Sequence, residues 1–258
     1  MKLLVCIKQV PDMESQFKIN SEGKWYDDTD LAYRMNEYDE YAVEQAIQLK
    51  EQLGKEPDLT VLSIGPDRTK EAIKKALAMG CDRGVQIKDD DYFNKDAYQI
   101  ANTIYEFAKD QQFDCVFTGL QSQDRGSGQV GILLAELLGV PAVSTIVDFE
   151  FADGTATVKR ELEGGTKAVV KIQLPALLTC QLGLNTPRYP TLPNLMKAKR
   201  KELKTIDVAD LLHAEELLST DKMYVPAKKG GGIVLEGDVG ELTDKLVAVL
   251  KEKTAVLN

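Results

Sequence analysis

Apolar residues along this chain fall into short unbroken runs, separated by segments in which they recur every three or four positions. Leu3 to Val10 is an apolar run that takes in Lys8 and Gln9 and stops at Pro11. Because it does not alternate, it predicts a central parallel strand covered on both faces. A polar excursion through Trp25 and Asp30 leads to Met35, Asn36, Glu37, Tyr38 and Asp39, after which Tyr41, Ala42, Val43, Ala46 and Ile47 recur at helical spacing. That spacing predicts a helix starting at Asn36 or Asp39 and stopping at Gly54. The pattern then repeats: a strand over Leu59 to Ile64, a turn at Gly65-Pro66-Asp67, and a helix lined by Ala72, Ile73, Ala76 and Leu77 up to Gly80. A short strand over Gly84 to Lys88, a helix from Tyr98 to Ala108, a strand over Asp114 to Thr118 and a helix from Ile132 to Leu138 follow, and Pro141 to Thr145 closes the series. Such alternation implies right-handed crossovers and a parallel sheet with helices on both sides.

From Ile146 the period becomes two. Val147 to Phe151 alternates, Ala152-Asp153-Gly154 reads as a hairpin turn, and Thr155 to Leu162 alternates again before Gly164 and Gly165, which predicts antiparallel strands. Thr166 to Cys180 is extended and apolar, broken by Pro175, and is able to rejoin the parallel sheet. In the stretch LNTPRYPTLPNLMKAKRK, from Leu184 to Lys201, Pro187, Pro190 and Pro193 fix φ and extend the residues before them, so an exposed stiffened loop is expected up to Pro193, followed by a basic helical run. Leu192 has no periodic partner that would place it in a core; it either docks on another protein or folds back onto this one. Beyond Lys204 the expectation is an acidic helix near Ala209 to Leu218, a spacer with Gly230-Gly231-Gly232 and an amphipathic helix from Glu241 to Lys251. This tail has too few apolar residues for its own core, so residues 1–204 are expected to form the α/β domain and residues 205–258 an arm laid on another surface.

Composition narrows the function classes. Of 258 residues, 43% are hydrophobic and 28% charged, as in an ordinary globular protein. No apolar run reaches the ~18 residues of a membrane span. The N-terminus opens on a strand without secretory features, which makes the cytoplasm the expected location. A net charge of −9 argues against nucleic-acid binding. Against that acidic background, Lys197, Lys199, Arg200, Lys201 and Lys204 form a local basic cluster that suits a protein partner. Cys6, Cys81, Cys115 and Cys180 form no C-x-x-C pair, and His213 is the single histidine, so neither a disulfide framework nor a two-histidine metal site is indicated. No G-x-S-x-G elbow is present to serve His213 in a hydrolytic triad.

The candidate ligand site is the segment Gly119, Leu120, Gln121, Ser122, Gln123, Asp124, Arg125, Gly126, Ser127, Gly128, Gln129, Val130 and Gly131. It joins a predicted strand to a predicted helix, where open α/β sheets bind ligands. Its glycines let backbone amides approach a phosphate, the helix start supplies unpaired N–H groups, and Ser127 and Gln129 add side-chain donors. It matches neither G-x-G-x-x-G nor the Walker lysine loop, and a glycine-rich helix cap is the alternative.

The signature N-x-PRY-x-TLPN-x-MKAK within Leu184 to Lys201, together with the glycine-rich segment, resembles the electron transfer flavoprotein beta subunit, and the likeness covers roughly Met1 to Leu203. The resemblance implies a Rossmann-like α/β fold of the adenine nucleotide alpha hydrolase type with an antiparallel extension. It also implies a heterodimer whose alpha subunit holds most of a redox FAD. In that family the glycine-rich loop holds the phosphate of an AMP, helped by positions matching Cys6, by Asn36, Glu37, Tyr38 and Asp39, and by Ile64. Met13 to Phe17 would face the isoalloxazine, and no catalytic residue is implied for this chain. Pro187, Arg188, Tyr189, Thr191, Leu192, Pro193 and Lys197 match the loop on which a flavoprotein dehydrogenase docks. Arg125 and Gly126 depart from some branches, and Gln129-Val130-Gly131 also occurs where the beta subunit binds a second FAD. AMP and a second FAD therefore both remain open as occupants. The rivals are an electron-bifurcating complex whose second FAD accepts hydride from NADH, and a stand-alone adenine-nucleotide sensor.

Overall fold

A computed structural model describes residues 1–54, 58–227 and 230–254. The chain forms two compact units, Met1–Met223 and Tyr224–Asn258. The first is built on a nine-stranded sheet. Its parallel strands are β1 (Lys2–Cys6), β4 (Asp58–Gly65), β5 (Arg83–Lys88), β6 (Cys115–Gly119), β7 (Ala142–Ala152), β10 (Ala176–Cys180) and β11 (Leu203–Asp207). β8 (Thr155–Glu161) and β9 (Lys167–Gln173) extend it antiparallel from β7. The spatial order is β11-β5-β4-β1-β6-β10-β7-β8-β9. The chain lays β4 and β5 on one side of β1, then crosses back to place β6 on the other, so strand order reverses beside β1 and leaves a crevice at the carboxyl ends.

Alternation along each strand sends side chains to both faces. Leu3 and Val5 join the core under α1 (Glu37–Leu53) and α2 (Lys70–Met79), whereas Leu4 joins the core under α3 (Ala97–Ala108) and α4 (Val130–Leu138). Both cores exclude water, which is why these strands read as continuous apolar runs. α1 keeps the expected ends, with Asn36 as N-cap and Gly54 as C-cap. α3 is closed by a capping box between Asp96 and Gln99.

The predicted α/β fold with its antiparallel extension is the fold observed, and several local expectations are corrected. The run Leu3 to Val10 is two strands: β1 ends at Cys6, and β2 (Gln9–Pro11) pairs antiparallel with β3 (Tyr33–Met35) in a separate small sheet. The break falls where the Lys8 N–H leaves the sheet ladder to donate to the Asp39 carboxylate at 2.6 Å. β7 serves both parts of the sheet: its first half runs parallel to β10 and its second half antiparallel to β8. Thr145, at φ 61°, sits at an irregularity in the pairing of β7 with β10. A β-branched residue in the left-handed region is uncommon, and here it re-aims the strand. The two-residue turn Asp153-Gly154 has φ of 49° and 76°, as a tight hairpin requires. After Pro175 the chain does rejoin the parallel sheet, as β10 between β6 and β7.

The acidic helix expected near Ala209 to Leu218 does not form; apart from a short 3-10 turn at Val208–Asp210 the segment is irregular. Its backbone groups bond to α3 instead. Asn102 Nδ2 donates to the Leu212 carbonyl at 3.1 Å, and the N–H groups of Leu217 and Leu218 donate to Asp96 Oδ2 at 2.7 and 2.9 Å. His213 is exposed and not helical. β11 runs across the expected division at 204/205, and the compact unit continues to Met223. In the second unit, α6 (Val239–Lys253) is capped by Asp238, and Leu246 and Val247 lie exposed on it.

Gly84, in β5, lies against α2, and a Cβ there would stand 2.5 Å from Ile73 Cγ2. Gly84→Ala should destabilise the protein by about 1–3 kcal/mol, the usual cost of overpacking a filled core. Its urea denaturation midpoint measures this, and an unchanged midpoint would show the α2–β5 packing to be looser than described.

Candidate functional site

The crevice beside β1 opens into a cavity of about 320 Å³. Its floor is the carboxyl ends of β1, β4 and β6, contributing Cys6, Leu62, Ile64, Thr118 and Gly119. One wall is the segment Leu120 to Gln129 leading into α4; the opposite wall is apolar, with Tyr92, Ile100 and Ile104. Leu218, Ser219 and Thr220 close the rim.

Of the residues expected from sequence, Cys6, Asn36, Asp39, Ile64, Gly119, Leu120, Gln121, Ser122, Arg125, Ser127, Gly128, Gln129 and Val130 line this cavity. Glu37, Tyr38, Gln123, Asp124 and Gly126 do not; all but Gly126 hold the loop by their side chains. Gln123 Nε2 donates to Glu37 Oε2 at 3.0 Å, and Gln121 Nε2 to the Tyr38 hydroxyl at 3.1 Å. The Asn36 side chain is spent in the same way, donating to the Gln121 carbonyl at 2.9 Å and accepting the Gln123 N–H at 3.0 Å. Asp124 forms an ion pair with Lys8 at 2.6 Å, its own side chain almost wholly buried.

Lys8, Tyr92, Lys95, Asp96 and Leu218 to Thr220 belong to the cavity and were not expected there. Lys8 was open to inference, being a lysine at the end of a buried strand, where ligands bind. The contributions of α3 and the Leu218 segment carried no local signal, because tertiary packing alone brings them to the loop.

The conformation of the loop depends on glycine. Gly126 and Gly128 have φ of 63° and 61°. At Gly119 a Cβ would lie 2.2 Å from Asp39 Oδ1, and at Gly131 one would lie 2.6 Å from Thr118 Oγ1. α4 begins at Val130 without a side-chain cap, so its first N–H groups are available to a ligand. Arg125 stacks over Trp25 at 4.5 Å and donates to the carbonyls of Phe93 and Lys95, tying the loop to the segment before α3. Glycine amides and cationic groups on one side and an apolar slot on the other suit an anionic ligand with a flat apolar part.

Electrostatics point to binding. Burial, with the Asp39 charge adding to it, pushes the Cys6 thiol far above its ordinary range, so it is protonated and not nucleophilic. Burial lowers the Lys8 ammonium, and the Asp124 carboxylate opposes that shift. Asp39 is fully buried, and burial raises its carboxyl to about 7 despite hydrogen bonds from the Lys8 and Gly119 backbones.

The docking residues expected from sequence lie around α5 (Leu192–Ala198), away from this cavity. Leu192 is not a loop tip but the first residue of the helix. Thr191 caps it, accepting the Asn194 N–H at 3.4 Å, and Pro193 fits the first turn, where its missing N–H costs nothing. Tyr189 and Leu192 are 90% and 79% exposed, so Leu192 does not fold back onto this chain's core. Lys197, Lys199 and Arg200 are exposed, whereas Lys201 is turned inward, donating to the carbonyls of Leu77 and Cys81. The Arg188 guanidinium is likewise turned onto α1, against Glu44 and Glu51.

A parallel sheet covered on both faces, with a glycine-rich cavity at the point where strand order reverses, defines a Rossmann-like α/β protein. Comparison with known proteins narrows the class. Residues 24–211 match the family described as electron transfer flavoprotein domain. The electron transfer flavoprotein subunit beta of Bacillus subtilis (strain 168) is 40% identical over 262 residues, covering 100% of both chains. That of Methylophilus methylotrophus is 34% identical, covering 98% of each, and that of Mus musculus 33% identical, covering 98% of this chain and 97% of its own. The chain belongs to the electron transfer flavoprotein beta subunit family.

The raised carboxyl of Asp39 makes stability depend on pH. Its pKa in the folded protein lies above the unfolded value, so the folded state binds the extra proton, and stability falls as pH rises towards and through about 7. Asp39→Asn should remove about 2–3 kcal/mol of the decline between about pH 5 and about pH 8. Denaturant midpoints measured across that range test this, and parallel profiles for the two proteins would show Asp39 ionised throughout.

Proposed function

We propose that this chain is the electron-carrier beta subunit of a heterodimeric electron transfer flavoprotein in the cytoplasm. It accepts electrons from flavoprotein dehydrogenases and passes them on through an FAD held mainly by the alpha subunit, and it keeps an AMP in its own cavity. Membership of the family supports the redox role and the alpha partner. The observation that carries the nucleotide assignment is the pairing of a glycine loop and an uncapped α4 start with the apolar slot of Leu62, Ile64, Tyr92, Ile100 and Ile104 in one cavity. The slot suits an adenine, and the loop, with Ser127 and Gln129 at the helix start, suits a phosphate. Lys8 is already neutralised by Asp124, which favours a monophosphate over a more highly charged group.

FAD, when bound between the subunits, supplies the redox chemistry. This chain contributes binding and shielding. Phe17 is 40% exposed and braced edge-on by Tyr26 at 5.6 Å, which leaves an aromatic surface for the flavin side of the partner. Docking of the dehydrogenase falls to Tyr189 and to Leu192 and Met196 of α5, exposed beside Lys197, Lys199 and Arg200. Inserting Leu192 into a partner's pocket contributes about 1.5–3 kcal/mol, and the lysines steer an acidic partner, acting on association rate. The amphipathic α6 and the irregular chain before it form the arm that packs on the alpha subunit.

Purifying the complex and counting its small molecules tests this reading. One flavin and one AMP per heterodimer are expected. Two flavins would replace it by the bifurcating complex, and a colourless monomer holding a nucleotide would replace it by the sensor. Gly128→Glu brings a side chain to a left-handed position and a negative charge to the phosphate wall, and should reduce bound AMP at least tenfold. Chromatography of the nucleotide released from the purified variant measures it; full AMP content would overturn the placement.

A further inference from the structure

In the stretch that resembles a docking loop, Arg188 is the residue whose chemistry best suits a contact with an acidic partner. In the structure it faces inward. Its backbone N–H donates to Glu44 Oε2 at 3.1 Å. Nε donates to the same oxygen at 2.9 Å, and Nη2 donates to Glu44 Oε1 at 3.0 Å. Nη1 and Nη2 also reach the two oxygens of Glu51, at 2.6 and 3.0 Å. Four of the five N–H groups of the guanidinium are thus used within this chain. Glu44 is buried at 3% exposure, and Glu51 lies seven positions further along α1, two helical turns away on the same face. Three residues earlier, Asn185 Nδ2 donates to the Tyr41 carbonyl at 3.0 Å and to Gln45 Oε1 at 3.4 Å. Residues 185–188 are therefore bolted along α1, and the chain turns outward immediately afterwards, at Tyr189.

The geometry points to Arg188 as a positioning residue for docking: it fixes the root of the segment that presents Tyr189 and Leu192, and it does not itself touch the dehydrogenase. This inference rests on the docking role assigned above to the start of α5. A planar guanidinium spanning two carboxylates has one geometry, which a flexible ammonium cannot reproduce. With the root held, the apolar side chains are ordered before the partner arrives, and association loses less conformational freedom. The hydrogen bond from Arg188 is the first cause that lowers the Glu51 carboxyl below its ordinary value, as a bond to the ionised form does.

The test is a double-mutant cycle on the purified heterodimer, reading kcat and KM for reduction of its flavin by the substrate-reduced donor dehydrogenase. Arg188→Lys should raise KM about tenfold while kcat stays within about twofold, because presentation and not electron transfer is disturbed. Leu192→Ala should also raise KM, and in that background Arg188→Lys should add less than about twofold, since no presented leucine is left to misplace. Glu51→Gln, which opens the clamp at its exposed end without leaving a buried charge unpaired, should show a smaller rise of the same kind and guards against a folding defect in Arg188→Lys. If Arg188→Lys and Leu192→Ala multiply fully, Arg188 touches the partner and the positioning role is overturned. If Leu192→Ala raises KM but Arg188→Lys and Glu51→Gln do not, the clamp is overturned while docking at α5 stands. If Leu192→Ala has no effect, the docking assignment fails and the inference fails with it.

Discussion

The glycine-rich side of the cavity depends on the start of α1. Asp39 accepts N–H groups from Lys8 and Gly119, the residues at which the chain leaves β1 and β6, so one buried carboxyl ties together the two strand ends that border the crevice. Asn36, one turn earlier, hydrogen-bonds to the loop after β6 as both donor and acceptor. The carboxyl lies so close to Gly119 that no other residue fits there. Hydrogen bonds to an ionised group contribute about 1.5–3 kcal/mol each. Even so, burial prevails: raising Asp39 to about 7 corresponds to about 4 kcal/mol against its charged form. The site is therefore held by a carboxyl poised to titrate near neutral pH.

The same helix organises the other end of the molecule's business. Its outer face carries Glu44 and Glu51, on which Arg188 closes, and its inner face packs Ala42, Val43, Ala46 and Ile47 into the core. A rigid element thus stands between the glycine-rich loop and the exposed start of α5. That arrangement assigns different work to neighbouring charges in one basic stretch. Lys201 caps the carbonyls at the end of α2 and Arg188 grips α1, leaving Lys197, Lys199 and Arg200 facing solvent. Counting positive residues in the sequence overstates what a partner meets.

Strand and helix order in the α/β part was legible because burial on both faces forces unbroken apolar runs in the strands and a 3.6-residue stripe in the helices. The glycine loop was legible too, since backbone at positive φ and close approach to a neighbour restrict the residue type. The helix expected at Ala209 to Leu218 failed for the complementary reason. Its composition favours a helix, but the side chains of Asp96 and Asn102 on α3 hold its backbone groups, and a local pattern does not register competitors so far away in the chain. β11 crosses the expected division at 204/205 for a similar reason, because its hydrogen bonds come from β5, far away in the chain.

By itself, then, the sequence determined the βα rhythm, the hairpin turn and the glycine-dependent loop, whereas the exposure of Leu192, left open by its neighbours in the chain, was decided by the structure. Tertiary structure alone decided which charged side chains face a ligand or a partner. Glu37, Tyr38, Asn36 and Asp124 hold the loop, Lys8 and the Leu218 segment enter the cavity, and Arg188 turns inward. The physical reason is that a charge is placed by the nearest opposite charge or hydrogen-bond partner in space. For Lys8 and Asp124, and for Glu44 and Arg188, that partner lies more than a hundred residues away along the chain.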